Sequence, residues 1–366
     1  MKTAWLTFFI VFCAWTARPA DPSQDARGRQ FIGFDSFERF STTNAATAAE
    51  TVLTSPEINP RIKFDEAIVS WNAQVPSGSY LVFEVRALYD KVATKYYTLG
   101  IWSTDPVRHT RSSVSNQDDP DGTVSTDVLK LKQPAQHLQV RISLPSDQAL
   151  KPKLKFLGIS LADTNAKPPE LEPNRSAWGD LIPVPERSQM AYPNGKVLCS
   201  PTTVSMLLGY WAEILHRPNL DHSVPEVAAA VYDSQWQGTG NWPFNTAFAG
   251  SIDGIRAYIT RLSDVSELET WIAHKIPVGL SLDYDRLRAK GPGPNGHIVA
   301  CVGFTKQGDP ILNDPGTSAN VRKVFPRKNL VDAWSCSKNT VYVIYPENFA
   351  PPEDRFCHWY CVKTRN

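Results

Sequence analysis

The sequence predicts an all-β domain followed by an α+β domain. Its 366 residues, at about 150 residues per domain, correspond to roughly two domains. Residues 31–162 contain short runs of alternating apolar and polar residues separated by turn residues, a pattern typical of a sandwich or barrel. From Trp178 onward, helical spacing comes first and strand-like runs follow, which favours an α+β arrangement.

The composition excludes several classes of protein. Hydrophobic residues are 42% and charged residues 20% of the chain, which suits a packed core and not a disordered chain. Lys and Arg number 38 against 37 Asp and Glu, so there is no surplus of cations to bind nucleic acid. After the N-terminus no run of 18 apolar residues occurs, so we expect no integral membrane segment there.

The first 20 residues have the pattern of an export signal. Lys2 precedes the apolar stretch Leu6–Phe12, and polar sequence follows from Arg18. A buried N-terminal helix is the alternative. Residues 1–20 are therefore predicted to be a signal peptide, and the protein to be secreted, periplasmic or on the cell surface.

Loss of residues 1–20 removes Cys13 and leaves an odd number of cysteines, so at least one thiol is expected to be unpaired. One disulfide is expected among Cys336, Cys357 and Cys361. No second pair of cysteines has metal-finger spacing, and we expect no metal.

In the first half, Leu81–Ala87 and Leu138–Leu144 alternate with period two, which places one face of each strand in the core. Residues 154–161 close the region. Trp71 and Trp102 have two interpretations, as core residues or as exposed rings that stack on sugars. The second would let residues 31–162 attach the protein to glycan or cell wall.

Prolines at 168, 169 and 173 mark residues 163–177 as an extended linker. The second domain is predicted over 178–346, with a C-terminal tail at 347–366. Val204–Leu215 has helical spacing, and Ser223 with Glu226 and Ser266 with Glu269 form capping-box signatures. Strands are predicted over four ranges: Pro277–Leu282, His297–Phe304, Pro310–Asn313 and Thr340–Tyr345.

Cys199 is the candidate nucleophile. Pro201 suits the first turn of a helix, so Cys199 is expected at the helix N-terminus. Unpaired N–H groups and the helix dipole lower the pKa of a thiol there and favour the thiolate. A buried structural cysteine is the alternative.

A base and a group that orients it are also required. If His297–Phe304 and Pro310–Asn313 form a hairpin, Asp314 returns close to His297 and its carboxylate stabilises the imidazolium. A shift in register would make Asn313 the orienting residue instead. A core histidine and a turn-capping aspartate are the alternatives.

Gln189 precedes Cys199 along a segment that contains Pro193, Asn194 and Gly195 and that can fold back. Its side-chain N–H and the Cys199 backbone N–H would form an oxyanion hole. Trp242 and Asn245 lie in a glycine-flanked loop and are predicted to line a substrate cleft, although packing over the core is also possible.

Residues about 180–345 resemble the C39-like cysteine peptidases. The resemblance rests on Leu181–Pro185 with Gln189, Cys199–Thr203, Gly238–Thr246, Asn295–Val299 and Asp314–Pro315. It implies a papain-like fold without a cofactor, in which Cys199 is the nucleophile, His297 the base, Asp314 the orienting residue and Gln189 the oxyanion donor. The first half is similar to sandwich domains that precede such peptidase domains in exported bacterial proteins.

The resemblance implies a secreted peptidase that acts on a peptide or protein. Two alternatives stay open. The same site could transfer the acyl group to an amine, as a transpeptidase does, or the second domain could be catalytically silent in a glycan-binding protein.

Overall fold

The computed structural model describes residues 26–44, 50–147, 149, 151–294 and 296–360. The predicted signal peptide and Cys361 lie outside the described residues. Among the described residues, none of the helices combines the length and the hydrophobicity that a membrane span requires.

The first half forms two antiparallel sheets of five strands each. One sheet has the strand order β1-β10-β4-β8-β7 and the other β2-β3-β9-β5-β6. The strands are β1 Arg29–Phe34, β2 Ser41–Asn44, β3 Glu50–Thr54, β4 Phe64–Gln74, β5 Leu81–Leu88, β6 Tyr97–Trp102, β7 Gly122–Ser125, β8 Val128–Ala135, β9 His137–Pro145 and β10 Lys153–Ala162.

The two sheets pack face to face as a sandwich. The Trp71 ring on β4 stacks on Phe83 of β5, with 4.0 Å between ring centroids. Alternation explains the layering: β5 is buried at every second residue, as period two requires when one face of a strand meets the core. Trp71 and Trp102 are buried in this core, so neither ring is available to stack on a sugar.

The second half contains one six-stranded sheet with the order β11-β16-β12-β13-β14-β15. Its strands are β11 Ile255–Arg261, β12 Val278–Asp283, β13 Gly296–Phe304, β14 Pro310–Asn313, β15 Arg322–Val324 and β16 Thr340–Pro346. Its helices are α1 Cys199–Ile214, α2 Val224–Val231, α3 Trp242–Ser251, α4 Val265–Ala273, α5 Tyr284–Leu287 and α6 Arg327–Ser335. The predicted α+β class, with an all-β half before it, is confirmed.

Two local predictions in this half are wrong. The residues expected to form a glycine-flanked loop make the helix α3, where Asn241 caps the Phe244 N–H and Pro243 occupies the first turn. Ser266 does not cap α4, because the cap is Asp264, whose carboxylate accepts from the Ser266 N–H. The other predicted capping box, Ser223 with Glu226, is present at α2.

Residues 171–174, at the end of the predicted linker, lie along α4. The Leu171 N–H donates to Asp264 at 2.8 Å, and the Asn174 N–H donates to Glu269 at 2.8 Å. The predicted linker is thus fastened to the second half by charge-assisted hydrogen bonds, which are stronger than neutral ones.

The halves share a buried interface. The Phe244 ring of α3 packs against Trp71 and Trp102, with centroid distances of 6.1 and 5.5 Å. The Arg111 guanidinium is buried and donates to the Ala229 and Tyr232 carbonyls at 2.6 and 3.0 Å. Aromatic burial and satisfied polar groups fix the sandwich against the second half, so both halves shape the cavity described below.

Cys357 is disulfide-bonded, whereas Cys336 has a free thiol. Cys357 therefore takes part in a disulfide and Cys336 does not. The adjacent His358 is buried and contacts Glu267 through Nδ1 at 2.7 Å, which holds the C-terminal segment against α4.

Candidate active site

Cys199 begins helix α1, as the sequence predicts. Leu198 precedes it and supplies no side-chain cap, and Pro201 lies in the first turn. The N–H groups of this turn have no intrahelical acceptor, so they favour a negative charge on the nearby sulfur. The Ser200 and Ile298 N–H groups both help to lower the pKa of the Cys199 thiol by hydrogen bonding.

His297 and Asp314 are brought together by two neighbouring strands. β13 pairs with β14 in the antiparallel sense, with Ala300 opposite Asn313. His297 Nε2 lies 2.8 Å from Asp314 Oδ1, and the Gly316 N–H donates to the same oxygen at 2.9 Å. Both side chains are almost completely buried, so water competes little for this contact.

Asn313, the residue expected to replace Asp314 under a shifted register, has a different role. Its side-chain amide donates to the Val184 and Pro185 carbonyls, both at 3.3 Å, and its Oδ1 accepts from Arg322 Nε at 3.0 Å. Asn313 thus holds the segment that precedes Gln189 against the sheet.

The electrostatics favour a charged pair of sulfur and imidazole. Burial opposes ionisation of the Cys199 thiol, but the hydrogen bond and positive charge of His297 outweigh burial and lower the thiol pKa. Burial also opposes the His297 imidazolium. Hydrogen bonds from Asp314 and Cys199, with their charges, outweigh it and raise the His297 pKa to about 9. Burial disfavours the Asp314 carboxylate, yet His297 lowers its pKa. The imidazolium therefore stabilises both the thiolate and the carboxylate, and each of these anions stabilises the imidazolium.

Tyr284 is a further member of this cluster that the sequence did not single out for this role. Its hydroxyl donates to Asp314 Oδ2 at 2.9 Å, and its ring lies 4.0 Å from the His297 ring. Asp283 caps the Asp285 and Arg286 N–H groups and so starts the short helix α5, whose first residue is Tyr284. The strand-to-cap transition at Leu282-Asp283-Tyr284 is the sequence signal for this placement, but the contact with Asp314 depends on β12 pairing with β13.

Gln189 is buried in a short 3₁₀ turn, Gln189–Ala191. Its backbone N–H donates to the Pro315 carbonyl at 3.0 Å, next to Asp314. Gly195 packs on the Gln189 carbonyl so closely that a Cβ at Gly195 would lie 2.3 Å from that oxygen. The connection to Cys199 therefore folds back, and within the described residues Gln189 Oε1 has no hydrogen-bond partner.

The two predicted substrate-binding residues occupy different environments. Trp242 lines the cavity beside Cys199, and its N–H donates to Asp127 at 2.7 Å. Asn245 is fully buried, and its side-chain amide donates to the Thr239 and Asn241 carbonyls, both at 2.8 Å. Asn245 therefore holds the start of α3 in place, and its position gives it no contact with the cavity.

A cavity of about 730 Å³ contains the Cys199 and His297 side chains on its wall. The β half contributes residues 125–128, and the second half contributes residues 236–240 with Trp242. Val197 and Trp236 on its wall are 59% and 50% exposed. The cavity is thus an open cleft between the two halves, and its volume is within the usual range of ligand-binding pockets.

Comparison with known families agrees with this architecture. Residues 181–342 match the Peptidase_C39 like family, and residues 23–162 match the Peptidase C39 N-terminal domain. The chain is thus similar to C39-type peptidases over both of these ranges. The match over 181–342 includes Gln189, Cys199, His297 and Asp314, so the thiol, the imidazole and the carboxylate all lie inside the matched range.

A crystal structure of a Bacillus anthracis chain assigned to the C39-like peptidases is similar to part of this chain. The sequences are 13% identical, the TM-score is 0.37, and the alignment covers 46% of this chain and 96% of the other. No curated protein matches the chain.

Proposed function

We propose that this protein is a secreted cysteine peptidase that hydrolyses peptide bonds. The observation that carries the proposal is the continuous contact from the Cys199 thiol to the His297 imidazole and on to the Asp314 carboxylate, at the wall of an open cleft. Cleavage of an amide needs a nucleophile and a proton donor. The thiolate is the nucleophile, and the imidazolium beside it is the proton donor.

In the first step Cys199 Sγ attacks the substrate carbonyl carbon and forms a C–S bond, and the carbonyl oxygen becomes an oxyanion. The Cys199 N–H and the Gln189 side-chain amide are the proposed donors to that oxyanion. His297 then gives its proton to the amide nitrogen, the C–N bond breaks and the amine leaves. The product of this step is a thioester between the enzyme and the acyl part of the substrate.

In the second step a water molecule attacks the thioester while His297 takes its proton. The C–S bond breaks, the carboxylic acid product leaves, and the thiolate and imidazolium are restored. Asp314 holds the imidazole ring through Nε2, which leaves Nδ1 to exchange protons with sulfur and substrate. Tyr284 in turn holds the second oxygen of Asp314.

The proposal includes export. The pattern of residues 1–20 supports it, and the disulfide at Cys357 suits an oxidising compartment. N-terminal sequencing of the protein from cell fractions tests this part. We expect the mature chain, beginning after residue 20 or close to it, outside the cytoplasm. A full-length chain that stays in the cytoplasm would contradict export.

Labelling with an epoxide-type cysteine probe tests the nucleophile. We expect rapid labelling of the wild-type protein, none of Cys199→Ala and much slower labelling of His297→Ala. Cys336→Ala is the matched control, because Cys336 is an exposed free thiol that belongs to no such array. Labelling that persists in Cys199→Ala would contradict the assignment of Cys199 as the nucleophile.

The mass of the product shows whether water or an amine accepts the acyl group. Incubation with a peptide substrate, with and without an added amine, should yield the free acid in both cases if water is the acceptor. An amide product that replaces the acid when amine is present would instead identify an acyltransferase.

A further inference from the structure

The cleft extends from Cys199 to a charged region where the two halves meet. Glu66, Asp127 and Lys130 reach its wall from the β half, and Arg261 and Lys338 reach it from the second half. Neither Cys199 nor His297 forms a hydrogen bond with these five residues, and the hydrolysis proposed above does not use them.

Arg261 is the central residue of this region. It is 2% exposed, and its Nη2 lies 2.7 Å from Glu66 Oε2, while its Nε donates to Thr340 Oγ1 at 3.4 Å. Nη1 has no hydrogen-bond partner among the residues that the structure describes. A buried guanidinium N–H without an acceptor destabilises the folded state, because its hydrogen bonds to water are lost on folding and no hydrogen bond within the protein replaces them.

Lys338 adds a second donor at the same place. It pairs with Glu66 Oε1, and its side chain remains 38% exposed. An ammonium group has three N–H donors, so the contact with Glu66 leaves capacity for another acceptor. Glu66 therefore positions two cations side by side without satisfying either completely.

The charges on the wall of the cleft favour an anion. Lys130, Lys196, Arg261 and Lys338 oppose the two carboxylates of Glu66 and Asp127, an excess of two cations. Burial raises the pKa of Asp127 to about 7, so the excess is larger below neutral pH. A low-dielectric cleft whose wall carries a net positive charge attracts anions.

We propose that this region is a subsite for a carboxylate of the substrate peptide, with Arg261 Nη1 and Lys338 as its donors. The carboxylate is an acidic side chain or a free C-terminus, which present the same two oxygens to a guanidinium. The subsite rests on the function proposed above, because the ligand is the peptide that Cys199 attacks. It gives the β half a role in specificity, since Glu66 positions both donors.

Internally quenched peptides test the subsite. Each peptide carries Glu at one position in turn, beside a matched peptide with Gln there, and each is made as the free acid and as the C-terminal amide. Cleavage by the wild-type protein gives kcat/KM, and fluorescence anisotropy of binding to Cys199→Ala gives Kd without turnover. The variants are Arg261→Gln and Lys338→Gln.

Lys132→Gln is the matched control, because Lys132 is on the same strand as Lys130 but pairs with Asp118 outside the cleft. Thermal unfolding of each variant is measured. If Arg261→Gln does not fold, Lys338→Gln still tests the subsite, because the Lys338 side chain is 38% exposed.

We expect one carboxylate, at one position or at the C-terminus, to raise kcat/KM and tighten Kd by about tenfold, as a charge-assisted hydrogen bond predicts. The preference should fall towards onefold in Lys338→Gln and Arg261→Gln and persist in Lys132→Gln. Cleavage that is equal for Glu and Gln and for acid and amide would overturn the subsite and leave the peptidase proposal standing. Acid-selective binding by Cys199→Ala without cleavage by the wild-type protein would overturn the peptidase proposal and leave the subsite standing. If neither cleavage nor acid-selective binding is observed, the peptidase proposal and the subsite are both overturned.

Discussion

The Tyr284 hydroxyl donates to Asp314 Oδ2 at 2.9 Å, while His297 lies 2.8 Å from Asp314 Oδ1. Each carboxylate oxygen thus has its own partner, so Asp314 cannot rotate without losing a hydrogen bond. Burial, followed by the charge of Asp314, raises the pKa of Tyr284, which keeps its hydroxyl a donor throughout the neutral range. Tyr284 is therefore a positioning residue that acts on the imidazole through Asp314.

Tyr284→Phe should lower kcat by about three- to tenfold, since one hydrogen bond of roughly 1 kcal/mol is lost. KM should change little, because the ring and its contact with His297 are kept. Tyr80→Phe is the control, since Tyr80 also donates to a carboxylate, that of Glu50, in the β half. Steady-state kinetics of both variants make the measurement. An unchanged kcat in Tyr284→Phe, or an equal loss in Tyr80→Phe, would contradict the positioning role.

The pH profile of hydrolysis should fall above about pH 9. His297 must be protonated to release the amine, and its pKa is raised to about 9. Alkylation of Cys199 by iodoacetamide needs only the thiolate, so it should begin below the usual thiol pKa and persist where hydrolysis declines. Rates of both reactions from about pH 5 to about pH 10 provide the measurement.

Asp314→Asn is the control for this profile. Without the carboxylate the His297 pKa should fall, and the alkaline limb of hydrolysis should move to lower pH. If hydrolysis and alkylation rise together up to about pH 10, Cys199 and His297 do not form the charged pair.

The elements that the sequence predicted well are those with strong local signals. α1 starts at Cys199 because Pro201 suits a first turn, and β13 with β14 follow from apolar runs separated by a turn at Gly308. The pairing of His297 with Asp314 could be predicted because the two residues flank that single hairpin. Local periodicity and turn chemistry are sufficient when the contact spans few residues.

The contacts that the sequence did not predict join distant segments. Arg261 meets Glu66 from the other half, and Tyr284 meets Asp314 only after β12 has paired with β13. The helix α3 did carry a local signal, the Asn241 cap before Pro243, but its flanking glycines also fitted a loop. Tertiary packing decides such cases, and no local pattern contains that information.

Phe244→Ala should destabilise the whole protein by about 3–5 kcal/mol, the usual cost of truncating a buried aromatic residue. Phe244 is fully buried and packs on Trp71 and Trp102 of the sandwich, so the cavity created would lie between the halves. Urea unfolding followed by tryptophan fluorescence measures the loss. Phe349→Ala, which truncates a ring that is 37% exposed, should cost much less. Equal losses in the free energy of unfolding would mean that burial of Phe244 between the halves stabilises the protein no more than the partly exposed Phe349 does.

Asp127→Asn should stabilise the protein at about pH 8 and change it little at about pH 4. Burial raises the Asp127 pKa to about 7, whereas an unfolded Asp has a pKa of about 3.9. Between about pH 3.9 and about pH 7, Asp127 holds a proton in the folded state that it has lost in the unfolded state. The contribution of Asp127 to the free energy of unfolding therefore falls as the pH rises through this window. Asparagine keeps an oxygen that can accept from the Trp242 N–H and carries no charge. Urea unfolding at both pH values, with the exposed Asp118→Asn as control, gives the measurement. A variant no more stable than wild type at about pH 8 would mean that folding does not oppose ionisation of Asp127.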